Sequence, residues 1–314
     1  MNILWMLLCV AGMCAQADAD RRLSLLDDLV LARGFRLSAL RSSTSPIEIG
    51  VVLSDAPDRE PRWRLAQWGS RFCLSDVCET TSPEGVRTLA NAGKTVKIFP
   101  GGLVGEGVVL GVHGGREYDG RLRRHGEPWP HLLLEQVIDE IRLHSARAFE
   151  FSVEFKVISG APAIEEALDP SLHTAHVNAF WTIHNKNPNS PNYNDMIWFG
   201  LPLYDARYPV PLGHQAVDAG QADATGKFIC TIAGARFYDE PVTIGQWHRL
   251  ECDLAPLLIE ALEAARRHGF LWETHFDNLA MTSFNIGWEV PGPYNCALWL
   301  RGLKLEAVPG TPVQ

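Results

Sequence analysis

A glutamate set in an apolar, aromatic run is the residue of this chain that most needs a reason. Glu289 lies in Asn285-Ile286-Gly287-Trp288-Glu289-Val290-Pro291-Gly292. A carboxylate buried in such company is costly without a partner, so Glu289 is either paired structurally or kept for chemistry, and function is sought around it. Burial beside Trp288 is expected to raise its pKa. Three other carboxylates could work with it. Asp195 follows Asn194 in Tyr193-Asn194-Asp195-Met196-Ile197-Trp198; strand neighbours face opposite ways, so it joins the site only if a bulge shifts the register. Asp205 shares strand parity with Arg207, which leaves open an ordinary ion pair or one half of a carboxylate pair around a water molecule. Glu135, after Leu132-Leu133-Leu134, is open between the same role and a paired edge residue. His176 is open between a general base and a hydrogen-bonded cleft residue, since imidazole is the side chain that changes charge near neutral pH. His173 and His176 would face opposite sides of a strand and His184 lies further on, so no metal cluster is expected, and no zinc spacing or cofactor motif is present.

The elements that must position these groups are short and β-like. Runs at 47–53, 62–68, 95–99, 107–112, 131–138, 149–158, 174–183, 196–203, 227–232, 247–252, 284–290 and 296–305 are separated by Gly, Pro, Asn and Asp. That pattern predicts an all-β, two-sheet sandwich or jelly roll rather than a parallel α/β sheet. The alternation in Phe149-Glu150-Phe151-Ser152-Val153-Glu154-Phe155-Lys156-Val157 gives one core face and one wet or cleft face. One amphipathic helix is predicted over 254–267, on the convex side, with Asp253 as cap, Pro256 in its first turn and Gly269 at its end.

The chain has 314 residues, is 46% hydrophobic and carries a net charge of −9. This composition supports one large core, argues against nucleic acid as a partner and suits a neutral polymer better than a polyanion. An apolar run followed by Ala15-Gln16-Ala17 reads as a leader cleaved after Ala17, which places the protein outside the cell or in a periplasm. Residues 18–45 are then an N-terminal appendage and 46–314 the sandwich, with no membrane span and a monomer expected. Of the cysteines beyond the leader, Cys73 and Cys78 could close a small loop, and Cys230, Cys252 and Cys296 are expected to be small buried residues on strands. Trp247 and Trp299 are expected in the core.

The order of pieces resembles glycoside hydrolase family 12, the jelly-roll endo-β-1,4-glucanases and xyloglucanases. The resemblance covers roughly residues 125 to 306. It is carried by Phe284-Asn285-Ile286-Gly287-Trp288-Glu289-Val290-Pro291-Gly292, by Tyr193-Asn194-Asp195-Met196-Ile197-Trp198-Phe199-Gly200 and by Ala175-His176-Val177, with a trace in Gln67-Trp68-Gly69. It implies that Glu289 takes the acid/base position, that Met196 and Trp198 line the cleft, that Asn194 stands where the family has its nucleophile and that His176 replaces an assisting aspartate. Asparagine cannot attack an anomeric carbon, so the family's retaining mechanism does not transfer directly. The implied activity is hydrolysis of a β-linked glucan or related plant polysaccharide. A carbohydrate-binding protein without turnover, or a lyase using His176, Tyr193, Tyr204 and Arg207, are the alternatives. Trp129, in the loop-like Glu127-Pro128-Trp129-Pro130, and Trp198 are the rings expected to stack on sugar.

Overall fold

The computed structural model describes residues 22–41, 46–220 and 224–310; the leader expected at 1–17 lies outside them. The strands form two packed sheets. One has the order β15 (His248–Asp253), β10 (Ala146–Pro162), β17 (Tyr294–Pro309), β8 (Val108–His113), β7 (Lys94–Ile98), β6 (Arg87–Ala90), β5 (Thr80–Thr81), and β1 (Leu23–Ser24) also pairs with β17. The other has the order β13 (His214–Val217), β14 (Phe228–Thr231), β12 (Met196–Asp205), β11 (His176–Asn185), β16 (Leu279–Glu289), β9 (His131–Arg142), β4 (Trp63–Ala66), β2 (Phe35–Ser38), β3 (Glu48–Val52). Pairing is antiparallel except between β12 and β14 and between β2 and β4. The fold is a jelly-roll sandwich.

Alternation decides which side chains fill it. Phe149, Phe151, Val153, Phe155 and Val157 of β10 face Val177, Ala179, Trp181 and Ile183 of β11 and Phe284, Ile286 and Trp288 of β16 in one continuous core. Phe151 meets Trp181 edge-on at 4.9 Å, an arrangement that suits the ring quadrupoles. The buried indole of Trp288 donates across the sandwich to the Leu110 carbonyl at 3.0 Å. Because Trp288 points inward, Glu289 points outward. Trp288 therefore lies on the other side of β16 and is not the group that buries the Glu289 carboxyl.

The helix Leu254–Arg267 forms as the pattern predicts, with Asp253 accepting from the Ala255 N–H at 3.0 Å and Gly269 left-handed at φ 82° just past its end. It packs on β10 of one sheet and on β12 and β14 of the other. Leu254, Leu257, Leu258, Ala261, Leu262 and Ala265 thereby seal the flank between the sheets.

Two readings change. Residues 22–41 are not an appendage: β2 lies inside the nine-stranded sheet, β1 extends the other, and Leu26, Leu31, Phe35 and Leu37 belong to the core. Trp247 and Trp299 are half-buried, not core. They meet at 5.5 Å, with Arg301 over Trp247 at 4.0 Å and Phe99 stacked on Trp299 at 4.7 Å. The parity of Trp299 on β17 sends it to the outer side of the eight-stranded sheet, where Trp247, just before β15, meets it. Cys230 and Cys296 are buried as expected, Cys252 only partly, and Cys73 and Cys78 are separate thiols.

Candidate functional site

Antiparallel register brings four titratable side chains into one row on the outer face of the nine-stranded sheet. Glu289 ends β16; on one side it is paired with His131, which begins β9, and on the other with His176, which begins β11. His176 in turn is paired with Asp205, which ends β12. Inward-facing Leu132, Trp288, Val177 and Tyr204 in the next row fix the parity, so the row is held by the core beneath it.

Two glycines tighten this end of the sheet. Gly287 has φ 152°, and a Cβ there would strike the Leu132 carbonyl oxygen. Gly69, at φ 64°, lets the chain press against the carbonyl of Trp129. That turn carries Trp68, whose carbonyl accepts the backbone N–H of His131 at 2.8 Å.

Three ring nitrogens gather around a single oxygen. Glu289 Oε2 lies 3.5 Å from His131 Nε2 and 3.5 Å from His176 Nε2, and it accepts from Trp129 Nε1–H at 3.2 Å. None of the described hydrogen bonds reaches Oε1. The side chains of Glu289, His131 and His176 keep about a fifth of their surface exposed, at 20%, 21% and 21%. Burial alone would raise the Glu289 carboxyl, but the two imidazoles outweigh it and hold the group well below its ordinary value. Glu289 is a carboxylate in this site, and the expectation of a raised, proton-bearing acid is corrected. His131 moves the other way: burial disfavours its cation, yet Glu289 holds the ring above its ordinary value.

Asp205 is already committed. Its Oδ1 accepts from Thr174 Oγ1 at 2.8 Å and from Arg207 N and Nε at 3.0 and 2.9 Å, while Oδ2 takes Arg207 Nη2 at 2.6 Å. Burial would raise this carboxyl; Arg207 and then His176 bring it below the ordinary value. One strand, β11, separates Asp205 from Glu289, and the two strand spacings put their backbones roughly 10 Å apart. A retaining carboxylate pair is only about 5–5.5 Å apart. Burial, and then the charges of His176 and Arg207, lower the ring of His214 at the β13 edge.

The structure thus brings Glu289, His176, Asp205, Arg207 and Trp129 together. It places Tyr193, Asn194, Asp195, Met196 and Trp198 elsewhere. His184 pairs with both Met196 and Ala280, so the start of β12 lies nine positions back from Glu289 along β16, on the order of 30 Å at ~3.3 Å per residue. There Asp195 pairs with Lys227 at 2.8 Å, Asn194 turns at φ 61°, Met196 is buried and Tyr193 is exposed. No bulge brings Asp195 to Glu289. Trp198 is half-buried on the outer face, its Nε1 donating to Thr225 Oγ1 at 3.2 Å. Glu135 is on the outer face too, paired with Arg64 at 2.9 Å, and Tyr204 points inward, edge-on to Trp288 at 5.9 Å. His173 is buried against the Arg123 carbonyl at 2.8 Å.

His131 is the residue that sequence reasoning missed. It was placed at the head of a strand, but only the cross-strand register shows that this head abuts Glu289.

No protein-family model matches the chain, and no curated protein matches it. Solved structures do. A meso-active, thermostable cellulase derived from Cel12A of Rhodothermus marinus is 12% identical, covering 73% of this chain and 94% of its own, with a TM-score of 0.37. The Cel12A catalytic domain of Humicola grisea, in complex with a thio cellotetraose, is 14% identical over 71% of this chain and 93% of its own, at 0.36. The family 11 xylanase from Neocallimastix patriciarum is 7% identical over 73% and 94%, also at 0.36. At such identities and scores the likeness is one of sheet arrangement and does not reach the chemistry of Glu289.

Proposed function

We propose that this chain is an exported, polysaccharide-active hydrolase that cleaves a β-linked glucan or related plant polysaccharide on the outer face of its nine-stranded sheet. The carrying observation is the convergence of His131, His176 and Trp129 on one oxygen of Glu289, which leaves the other oxygen free of described partners. A carboxylate with proton-bearing rings on both sides supplies a base and an acid within one row.

In the proposed reaction Glu289 Oε1 takes a proton from a water molecule whose oxygen attacks the anomeric carbon. An imidazolium of the row gives a proton to the leaving glycosidic oxygen. Water is thereby added across the bond, and Glu289 and the ring return to their starting states by proton exchange with solvent. The buried, unpartnered Nδ1 of His176 supports a ligand site here, because a substrate hydroxyl or glycosidic oxygen would satisfy a nitrogen that is costly to leave alone. Phe180 and Trp198, half-buried on the same face, offer sugar-stacking rings further along the strands.

The commitment of Asp205 to Arg207 favours a second reading, a lyase, since it removes the second carboxylate and leaves imidazole as the base. Incubation with a panel of neutral and uronate-bearing polysaccharides separates the readings. New reducing ends without unsaturated sugar support the hydrolase, and unsaturated uronate ends support the lyase. Binding without product from any polymer would sink both and leave a carbohydrate-binding protein.

A further inference from the structure

The two rings flanking Glu289 are not equivalent. His131 Nδ1 lies 3.0 Å from the Trp129 carbonyl oxygen and 3.3 Å from that of Trp68. Carbonyl oxygens only accept, so Nδ1 carries a hydrogen. In a neutral ring Nε2 would then turn a lone pair toward Glu289 Oε2 at 3.5 Å, two acceptors facing each other. A proton has to lie on that line. Oε2 is already the acceptor for the Trp129 indole, which places the proton on the ring. His176 differs: its Nε2 faces the same oxygen at 3.5 Å, but its Nδ1 is buried without a partner. That ring can gain or lose a proton without giving up a carbonyl contact.

We propose that His131 is a fixed cation that positions Glu289 and keeps it ionised, leaving His176 as the ring of the row that exchanges a proton with substrate. The role of His176 rests on the hydrolytic reading above; the charge state of His131 does not. The surroundings agree with the split. Facing His131 are Glu289 from β16 and the indoles of Trp68 and Trp129 at 6.1 and 5.8 Å, the latter with the Arg123 guanidinium 5.0 Å over its ring. Those indoles carry no charge to relieve the cation, and Arg123 would oppose it, so Glu289, helped by the Trp68 and Trp129 carbonyls, sustains it. His176 instead lies between Glu289 and Asp205, the latter neutralised by Arg207, with His214 nearby. The ring of His131 is held above its ordinary value in spite of burial, as a fixed cation requires.

The test is a nitrogen-15 NMR titration of the imidazole rings in the full chain. His131 should remain protonated on both nitrogens just above the ordinary imidazole value of 6.5, and in Glu289→Gln it should lose one of those protons there. A His131 ring with a single hydrogen there in the parent overturns the inference, whatever any activity assay gives. Should Glu289→Gln fail to fold, the parent spectrum still decides. On the polymer the parent cleaves best, His131→Lys should retain most turnover, while His131→Gln should lose roughly tenfold or more and move the acid limb of its pH profile upward, because the carboxylate is then harder to ionise. Equal losses in both variants with an unmoved acid limb would reduce His131 to packing. A parent that cleaves no polymer defeats the hydrolase reading and leaves the NMR result on His131 standing.

Discussion

At the scale of single residues, Glu289 controls both the charge and the chemistry of the row. Glu289→Gln keeps the shape of the side chain and removes the anion, and turnover should fall by about two to four orders of magnitude with binding kept; full activity in product analysis would remove Glu289 from the reaction. The same group ties stability to pH. Glu289 is held below its ordinary 4.5, so its contribution is fully present above that value and is lost as pH falls through its folded value. His131 is held above 6.5, so its contribution is fully present below that value and is lost as pH rises through its folded value. Both act between about 4.5 and 6.5. Denaturant titrations should therefore show the largest gap between the parent and Glu289→Gln in that window, narrowing on both sides; a gap independent of pH would contradict the ionised pair. Asp205 is predicted to be structural. Asp205→Asn should weaken its links to Arg207 and Thr174, lower the melting temperature and leave turnover within a few-fold, whereas a loss as large as that of Glu289→Gln would make it the second catalytic carboxylate.

At the scale of elements, the two glycines and a buried ion pair hold the row in place. Gly287→Ala forces a Cβ against the Leu132 carbonyl at a φ of 152°, so it should shift β16 against β9, cost about 1–3 kcal/mol of stability and lower turnover with the Glu289 side chain intact. The fully buried Lys94 donates to Glu117 at 2.8 Å and to the Phe72 carbonyl at 2.6 Å. Glu117 also accepts from the N–H of Arg71, and so pins the loop that leads away from Trp68. Lys94→Met would leave Glu117 buried and uncompensated, a loss of about 3–5 kcal/mol by denaturation. Much of this architecture is legible in the sequence. The alternation of β10, the predicted runs that became strands and the capped helix all follow local periodicity, which needs no knowledge of partners. β2, Phe35–Ser38, is hidden because Leu26 and Leu31 just before it fill the core from loops rather than from a regular element, so the apolar residues of this stretch show no period. The site is legible only in part. Glu289 stands out by its apolar, aromatic neighbours in sequence, but strand order does not reveal strand direction. β12 and β16 both run antiparallel to β11, and so parallel to each other. The Tyr193–Trp198 motif therefore begins beside the start of β16, far from its end at Glu289.

At the scale of the whole molecule, the outer face is long enough to hold an extended polymer. Trp198 is paired with Thr182, six positions along β11 from His176, or roughly 20 Å. Trp198→Ala should then weaken a long chain by roughly 1–3 kcal/mol in calorimetry while leaving short oligosaccharides near Glu289 unaffected; equal affinity for long polymer would take Trp198 out of the binding face. The order of synthesis adds a different constraint. β16 lies between β9 and β11, and β17 lies between β10 and β8, so the last two strands of the chain occupy interior places in both sheets. Neither sheet can close until almost the entire polypeptide is available, and the contacts that close them span much of the sequence, which makes folding slow. A chain stopped before β16 should remain open, with unpaired edges on β9, β11, β10 and β8 and no buried partner for either half. His131 would then wait, without its carboxylate, for a glutamate added near the end of translation. The ionised row thus comes into being only once β16 lies between β9 and β11, and its NMR signature doubles as a report that this penultimate strand has been threaded.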